Sequence, residues 1–252
     1  MAFSKVYCWE PTELGTPVLA AAERLYEGTI AAGERIPWMW IERAAGEKNV
    51  RRPTGWMKHL ILATAGPNFD DPEALLGYAY GAFIPGFGGY ICYVGVSEKA
   101  RKQGVGSRLF ESMFTAFAAD ATYAGESLPF VIWESHRPTA DEGEAAHRLW
   151  NARVRAFEKV GGLWVEGLEL ITPDYDNEDP TASVPLQLFV KPIGDSVASF
   201  TAPRLRTIAK ELMEKVYHEQ PGDYFHDQTL AVMNVVGLKS AQPAALAATL
   251  AG

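Results

Sequence analysis

The sequence predicts a mixed α/β domain followed by a helical extension. Segments that favour strands alternate along the chain with segments whose apolar residues recur at helical spacing, in the order β-αα-βββ-α-β-α-ββ. At 252 residues and 48% hydrophobic content, the chain is long enough to bury one sizeable core. Beyond residue 195 the remaining segments are all helical. We therefore predict a domain over residues 1–195 and a C-terminal helical extension over residues 196–252.

The first part of the chain supplies the elements that precede the central helix. Residues 90–96 form a continuous apolar run, which is typical of a strand buried on both faces. A turn is predicted at residues 51–55, where Pro and Gly follow two arginines. The other predicted elements are a strand at 3–9, helices at 17–32 and 37–45, and strands at 56–64 and 75–83.

Two helices dominate the second part. Residues 105–119 carry large apolar side chains at i, i+3 and i+4, and residues 145–160 end at a pair of glycines. The expected buried stripe of the latter helix is Ala145, Leu149, Ala152, Ala156 and Val160. The remaining elements are strands at 130–133, 163–171 and 186–190, helices at 203–217 and 229–236, and a frayed Ala-rich tail from residue 242.

Charge and cysteine content exclude several classes of protein. A net charge of -8 argues against non-specific nucleic-acid binding. Cys8 and Cys92 have no metal-ligand spacing, so we expect neither a disulfide framework nor a metal site. No apolar run approaches the roughly 20 residues that span a bilayer, and the N-terminus does not resemble a signal peptide. We expect a cytoplasmic protein without nucleic-acid or membrane partners.

The negative charge is concentrated in one part of the chain. Residues 121–180 hold twelve acidic and five basic residues, whereas residues 1–120 hold thirteen and twelve. A local acidic field favours a cationic substrate such as an amine. The alternative is an ordinary solvated acidic surface.

The segment Arg101-Lys102-Gln103-Gly104-Val105-Gly106 lies between the strand at 90–96 and the helix that follows it. A helix N-terminus offers unpaired N–H groups and a partial positive charge. Glycines let phosphate oxygens approach the backbone, and two basic side chains add positive charge. The segment therefore suits a diphosphate, although it lacks the patterns of nucleotide-hydrolysing and dinucleotide-binding loops. The alternative is an ordinary strand-to-helix connection with a basic turn.

After its strand, this segment resembles the pyrophosphate loop of the GNAT superfamily of N-acetyltransferases, Arg/Gln-x-x-Gly-x-Gly/Ala. The resemblance covers about residues 3–192, and residues 158–162 are similar to the end of the family's second helix. It implies a mixed, mostly antiparallel sheet with splayed central strands flanked by helices. It also implies acetyl-CoA as cofactor, with Val94 and Val96 holding the pantetheine arm. The residues implied to wrap the pyrophosphate are Arg101, Lys102, Gln103, Gly104, Val105, Gly106 and Ser107.

The function implied is acetyl-CoA-dependent N-acetylation of a primary amine, on a small molecule or a peptide, by direct attack. A non-catalytic sensor or scaffold that binds coenzyme A thioesters is the alternative, and a longer-chain acyltransferase is a third interpretation. The sequence is compatible with either a monomer or a homodimer.

For the general base we favour Glu134, which follows the strand at 130–133. The alternative is a surface carboxylate paired with Arg137. The general acid is not assigned, because Phe157 stands where the family often has a tyrosine, and Asn151 is one position out of register with the family's asparagine.

Further residues carry two interpretations each. His59 is either a buried core histidine or a base, and His136 and His147 flank the Glu134 segment as candidate proton carriers. Aromatic residues of the first helices, namely Tyr26, Trp38 and Trp40, either line an acceptor pocket or pack in the core.

Overall fold

A computed structural model describes residues 5–47 and 55–240 of the chain. Within these ranges, eight strands and six α-helices form a mixed α/β fold whose sheet is mostly antiparallel, which confirms the predicted fold class. The start of the predicted strand at residues 3–9, nearly all of the predicted turn at residues 51–55 and the predicted Ala-rich tail lie outside the described residues.

The chain divides into two compact units, one formed by residues 1–133 and 173–182 and the other by residues 134–172 and 183–252. The elements of the first unit are β1 (Tyr7–Trp9), α1 (Pro17–Thr29), α2 (Trp38–Glu47), β2 (Met57–Thr64), β3 (Leu75–Ile84), β4 (Gly88–Val96), α3 (Val105–Tyr123) and the start of β5 (Phe130–His136). Those of the second are the end of β5, α4 (Glu144–Lys159), β6 (Leu163–Pro173), β7 (Ser183–Pro192), α5 (Ala202–Lys215), α6 (Tyr224–Val232) and β8 (Gly237–Lys239).

In the first unit the strands lie in the order β1-β2-β3-β4-β5. Neighbouring strands are antiparallel except β4 and β5, which pair in parallel over Gly89–Ile91 and Val131–Trp133. Helix α3 packs closely on β3, where a Cβ built on Gly81 would lie 2.4 Å from the carbonyl oxygen of Tyr90 and 2.8 Å from Cε of Met113. Glycine at position 81 therefore lets β4 and α3 approach β3 more closely than a side chain would allow.

Strand β4 contains a β-bulge that the sequence did not predict. Tyr80 pairs with Tyr93, but the next residue, Gly81, pairs with Ile91, so Cys92 is an extra residue in β4. The parallel pairing with β5 reaches Ile91, directly before this bulge. A bulge bends its strand and redirects the residues that follow it. The predicted continuous strand at 90–96 is thus confirmed in position but is locally distorted.

The second unit contains the described part of the C-terminal extension, of which α6 and β8 contact β6. The hydroxyl of Thr229 in α6 accepts a 2.9 Å hydrogen bond from the N–H of Ile171. Strand β8 pairs antiparallel with β6, with Leu238 opposite Val165. The extension residues that the structure describes therefore form part of a packed unit.

The predicted helix at residues 229–236 is wrong in its bounds. Helix α6 begins at Tyr224 and ends at Val232. Beyond it, the N–H of Asn234 donates to the carbonyl oxygen of Gly167 at 2.8 Å, and the N–H of Val236 donates to that of Glu166 at 2.9 Å. Pairing with β6 takes these backbone donors, so the chain leaves the helical conformation.

The predicted buried stripe of α4 is also wrong, except at its last residue, Val160, which is buried. Leu149 is 49% exposed, and Ala152 and Ala156 are exposed as well, whereas Trp150 and Val154 are buried. Trp150 packs against Phe189 of β7 with a 5.9 Å centroid distance. Alanines offer little apolar area, so the aromatic side chains determine which face of the helix docks.

Candidate active site

The loop before α3 holds two residues in the left-handed conformation. Gly104, the N-cap residue of α3, has φ 79°, and Lys102 has φ 63°. No described atom lies within 4 Å of a Cβ built on Gly104, so space is open above it. Glycine at this position allows the left-handed turn at no steric cost and leaves the backbone accessible to a ligand.

The electrostatics of this loop favour an anion. Among the described residues, no side chain caps α3, and its first turn has no acidic residue. The first N–H groups of the helix therefore keep their partial positive charge. Arg101 and Lys102 are exposed beside them, and the amide of Gln103 donates to the carbonyl oxygen of Lys99 at 2.8 Å, which ties the loop together. The rest of the predicted pyrophosphate segment, Val105, Gly106 and Ser107, forms the first turn of α3.

Val94 and Val96 lie beyond the bulge in β4 and are half-buried, whereas Tyr93 before them and Gly95 between them are buried. A Cβ built on Gly106 would lie 3.7 Å from Cγ2 of Val96, so the end of β4 contacts the start of α3. The structure therefore brings the predicted pantetheine strand and the predicted pyrophosphate loop together in the first unit.

Glu134 belongs to the second unit and lies within β5, although the sequence placed it just after the strand. It directly follows Trp133, the last β5 residue in the parallel pairing with β4. The hydroxyl of Tyr217, in the C-terminal extension, donates a 3.2 Å hydrogen bond to Oε1 of Glu134. The guanidinium group of Arg137 lies 5.8 Å from the centroid of the Trp164 ring. Sequence reasoning missed Tyr217, since no local pattern links two residues 83 positions apart.

Phe157, at the position where a tyrosine would be expected from the resemblance, packs edge-to-face on Phe189 with a 4.8 Å centroid distance. The half-buried ring of Phe157 therefore makes an apolar packing contact within the second unit. Asn151 is exposed on the same helix. His136, the last residue of β5, approaches Oε1 of Glu142 in the following loop at 2.9 Å through Nε2.

His59 is buried between two carboxylates in the first unit. It is 3% exposed, with Nε2 2.5 Å from Asp120 and Nδ1 3.2 Å from Glu10. Burial by itself lowers the pKa of His59, but the hydrogen bonds and charges of Asp120 and Glu10 outweigh it and raise that pKa to about 9. Such a buried, charged histidine fits the core interpretation rather than that of an accessible base.

The aromatic residues of the first helices also separate into core and surface. Tyr26 is 2% exposed, donates to the carbonyl oxygen of Ile36 at 2.9 Å and meets the ring of Tyr93 edge-on. Burial raises its pKa above the usual range for tyrosine. Trp38 packs on the same cluster, whereas Trp40 is 49% exposed. Tyr26 and Trp38 therefore support the packing interpretation.

A cavity of about 1000 Å³ lies beside β1 and α3 in the first unit. Its aromatic wall is formed by Trp9 and Phe69, whose rings stack at 4.7 Å. Glu10 also lines the cavity, so the carboxylate that pairs with His59 has one side on open space.

Comparison with known proteins confirms the resemblance to the GNAT superfamily. Residues 29–126, which include β2 to α3 and the whole predicted pyrophosphate loop, match the model of the Acetyltransferase (GNAT) family. This segment is less than half of the chain, and it supports acetyl transfer in general. No curated protein matches the sequence.

One solved structure agrees with the fold, and two others are similar at TM-scores below 0.5. An acetyltransferase assigned to the GNAT family, from Bacteroides thetaiotaomicron, superposes with a TM-score of 0.51 at 18% identity, covering 85% of this chain and 99% of its own. The ribosomal-protein-S18-alanine N-acetyltransferase from Escherichia coli gives a TM-score of 0.43 at 14% identity, covering 76% of this chain and 96% of its own. An aminoglycoside 6'-N-acetyltransferase complexed with coenzyme A gives a TM-score of 0.44 at 14% identity, covering 75% of this chain and 98% of its own.

None of the helices in residues 5–47 and 55–240 combines the length and the apolar composition that crossing a membrane requires.

Proposed function

We propose that the protein is an acetyl-CoA-dependent N-acetyltransferase that transfers an acetyl group to a primary amine of a small molecule or a peptide. The observation that supports this most is the uncapped N-terminus of α3. There, Gly104 leaves the backbone accessible and Arg101 and Lys102 supply positive charge, within a segment that matches the GNAT family model.

The residues fit the phosphates of coenzyme A. A diphosphate binds well where unpaired N–H groups, a helix dipole and basic side chains meet. We propose that Arg101, Lys102, Gln103, Gly104, Val105, Gly106 and Ser107 bind the pyrophosphate, and that Val94 and Val96 hold the pantetheine arm through their backbone. The bulge at Cys92 supports the latter role, because it redirects the strand just before these residues.

The reaction proposed is direct acyl transfer. The neutral amine attacks the thioester carbonyl carbon, so that a C–N bond forms and the C–S bond breaks. Glu134 accepts the proton that the amine nitrogen loses, directly or through water, and the thiolate of coenzyme A leaves. A carboxylate in this role also attracts an ammonium group before its deprotonation, in keeping with the acidic residues 121–180.

Thiol release tests the proposal. The full-length protein is mixed with acetyl-CoA and a panel of amines, namely polyamines, aminoglycosides and peptides with a primary amine, and the thiol is measured with DTNB. We expect release above the hydrolysis blank for at least one amine, with the acetylated product visible by mass spectrometry. Tight acetyl-CoA binding without release for any amine would instead favour a sensor or scaffold, for which the apolar Phe157 is the main supporting observation.

A further inference from the structure

Tyr217 is fixed in place by the end of helix α5. The N–H of Tyr217 lies 3.4 Å from the carbonyl oxygen of Leu212, and the N–H of Glu219 donates to that of Met213 at 3.0 Å. Between them, His218 has φ 59°, the left-handed conformation that commonly ends a helix. The backbone on both sides of the turn is therefore held by the last turn of α5.

Helix α5 itself is firmly docked. One face of it is fully buried, and its members are Leu205, Ile208, Ala209, Leu212 and Met213. At its start, the guanidinium group of Arg204 pairs with Asp195 and lies 4.3 Å from the centroid of the Phe200 ring. A helix anchored at its start and along its length is a rigid platform, so the hydroxyl of Tyr217 is presented from a fixed position.

The contact with Glu134 has a definite direction. An ionised carboxylate only accepts hydrogen bonds, so the phenol of Tyr217 donates to Oε1. The 3.2 Å separation is longer than the usual O–H···O distance of about 2.8 Å, as is common for catalytic contacts before the substrate binds. The bond restricts the rotation of the Glu134 side chain.

We propose that Tyr217 is a positioning residue for Glu134, so that the C-terminal extension contributes a side chain to the active site. The inference rests on the proposed function, in which Glu134 accepts the proton of the attacking amine. Tyr217 keeps its own proton throughout and acts only by holding the carboxylate in its reactive orientation.

The variant Tyr217→Phe removes only the hydroxyl and keeps the ring, so it tests the bond without opening a cavity. We expect kcat to fall about tenfold, because a hydrogen bond to a charged group is lost at the reacting centre. The KM for acetyl-CoA and the thermal midpoint are expected to stay within error. Tyr224→Phe is the matched control, since Tyr224 lies in the same extension with its side chain exposed. We expect wild-type kinetics for it.

A double-mutant cycle separates positioning from a general structural effect. If Tyr217 acts through Glu134, Tyr217→Phe lowers kcat in the wild-type background but has no further effect in the Glu134→Gln background. An equal loss in both backgrounds, or wild-type kcat for Tyr217→Phe, overturns the inference while the proposed function stands. A wild-type protein that acetylates no amine overturns the proposed function, and this inference with it.

Discussion

Nε2 of His59 lies 2.5 Å from a carboxylate oxygen of Asp120, which joins β2 to α3 through a buried charged contact. Asp120 is fully buried, and Glu10 approaches the other ring nitrogen at 3.2 Å. A charged histidine between two carboxylates links β2 to α3, the helix that follows the predicted pyrophosphate loop. Its protonation is therefore coupled to the stability of the first unit.

We predict that the protein loses stability as the pH rises through about 9. The folded pKa of His59 is raised to about 9 from 6.5, so its contribution is fully present below pH 6.5 and disappears above the folded pKa. Complete loss amounts to about 3 kcal/mol. Urea unfolding between pH 6 and 10 measures the free energy of unfolding, and His59→Gln serves as the reference protein. Equal pH dependence in both proteins would contradict the prediction.

We predict that Arg101→Glu and Gly104→Glu each weaken coenzyme A binding by roughly tenfold or more, because they place negative charge at the phosphate site. Gly104→Glu also forces a side chain into the left-handed conformation at φ 79°. Isothermal titration calorimetry measures the affinity. Arg206→Glu, an exposed change on α5, is the control with the same change in charge as Arg101→Glu. Unaltered affinity in both loop variants would remove the main support for the proposed site.

We predict that Glu134→Gln lowers kcat by roughly 10²- to 10⁴-fold, since the amide cannot accept the proton of the attacking amine. Coenzyme A affinity is expected to stay unchanged. Glu144→Gln, at the exposed start of α4, is the control. A variant that keeps both the turnover and the pH–rate profile of the wild type would rule out Glu134 as the base.

We predict that Gly81→Ala destabilises the protein by about 1–3 kcal/mol, because the new methyl group would overlap the Tyr90 carbonyl oxygen at 2.4 Å. Gly28→Ala is the matched control, since nothing lies within 4 Å of its Cβ position in α1. The control is expected to be neutral or stabilising by up to about 1 kcal/mol. Thermal and urea unfolding compare the two variants, and similar midpoints would show that the Tyr90 carbonyl group of β4 does not exclude a side chain at position 81.

We predict that Trp150→Ala destabilises the protein by about 3–5 kcal/mol, since the buried ring packs on Phe189. Leu149→Ala, one residue earlier on the exposed face, is expected to change stability by no more than about 0.5 kcal/mol. The pair shows directly which face of α4 docks. A larger destabilisation by Leu149→Ala than by Trp150→Ala would instead support the buried face of α4 that the sequence predicted.

Much of the fold could be predicted from the sequence because it depends on local patterns. Helix α1 begins at Pro17 and α3 at Val105, both as predicted, since a proline or a glycine marks each start. The loop proposed to bind pyrophosphate could be recognised in the same way, because strand, basic turn, glycines and helix follow one another within about 20 residues.

Other features could not be predicted, because they depend on contacts between distant segments. Strand β8 forms by pairing with the backbone of β6. The buried face of α4 is determined by its packing against the ring of Phe189. The bulge at Cys92 depends on the register of β3 against β4, on which the strand pattern carries no information.

By itself, the sequence determined the order of helices and strands up to β7, the resemblance to the GNAT superfamily and the loop at residues 101–107, since each is encoded by neighbouring residues. Only the tertiary structure decided that His59 is a buried charged residue and that Tyr217 contacts Glu134. The physical reason is that such contacts join residues 61 and 83 positions apart, which the packing of the folded chain alone brings together.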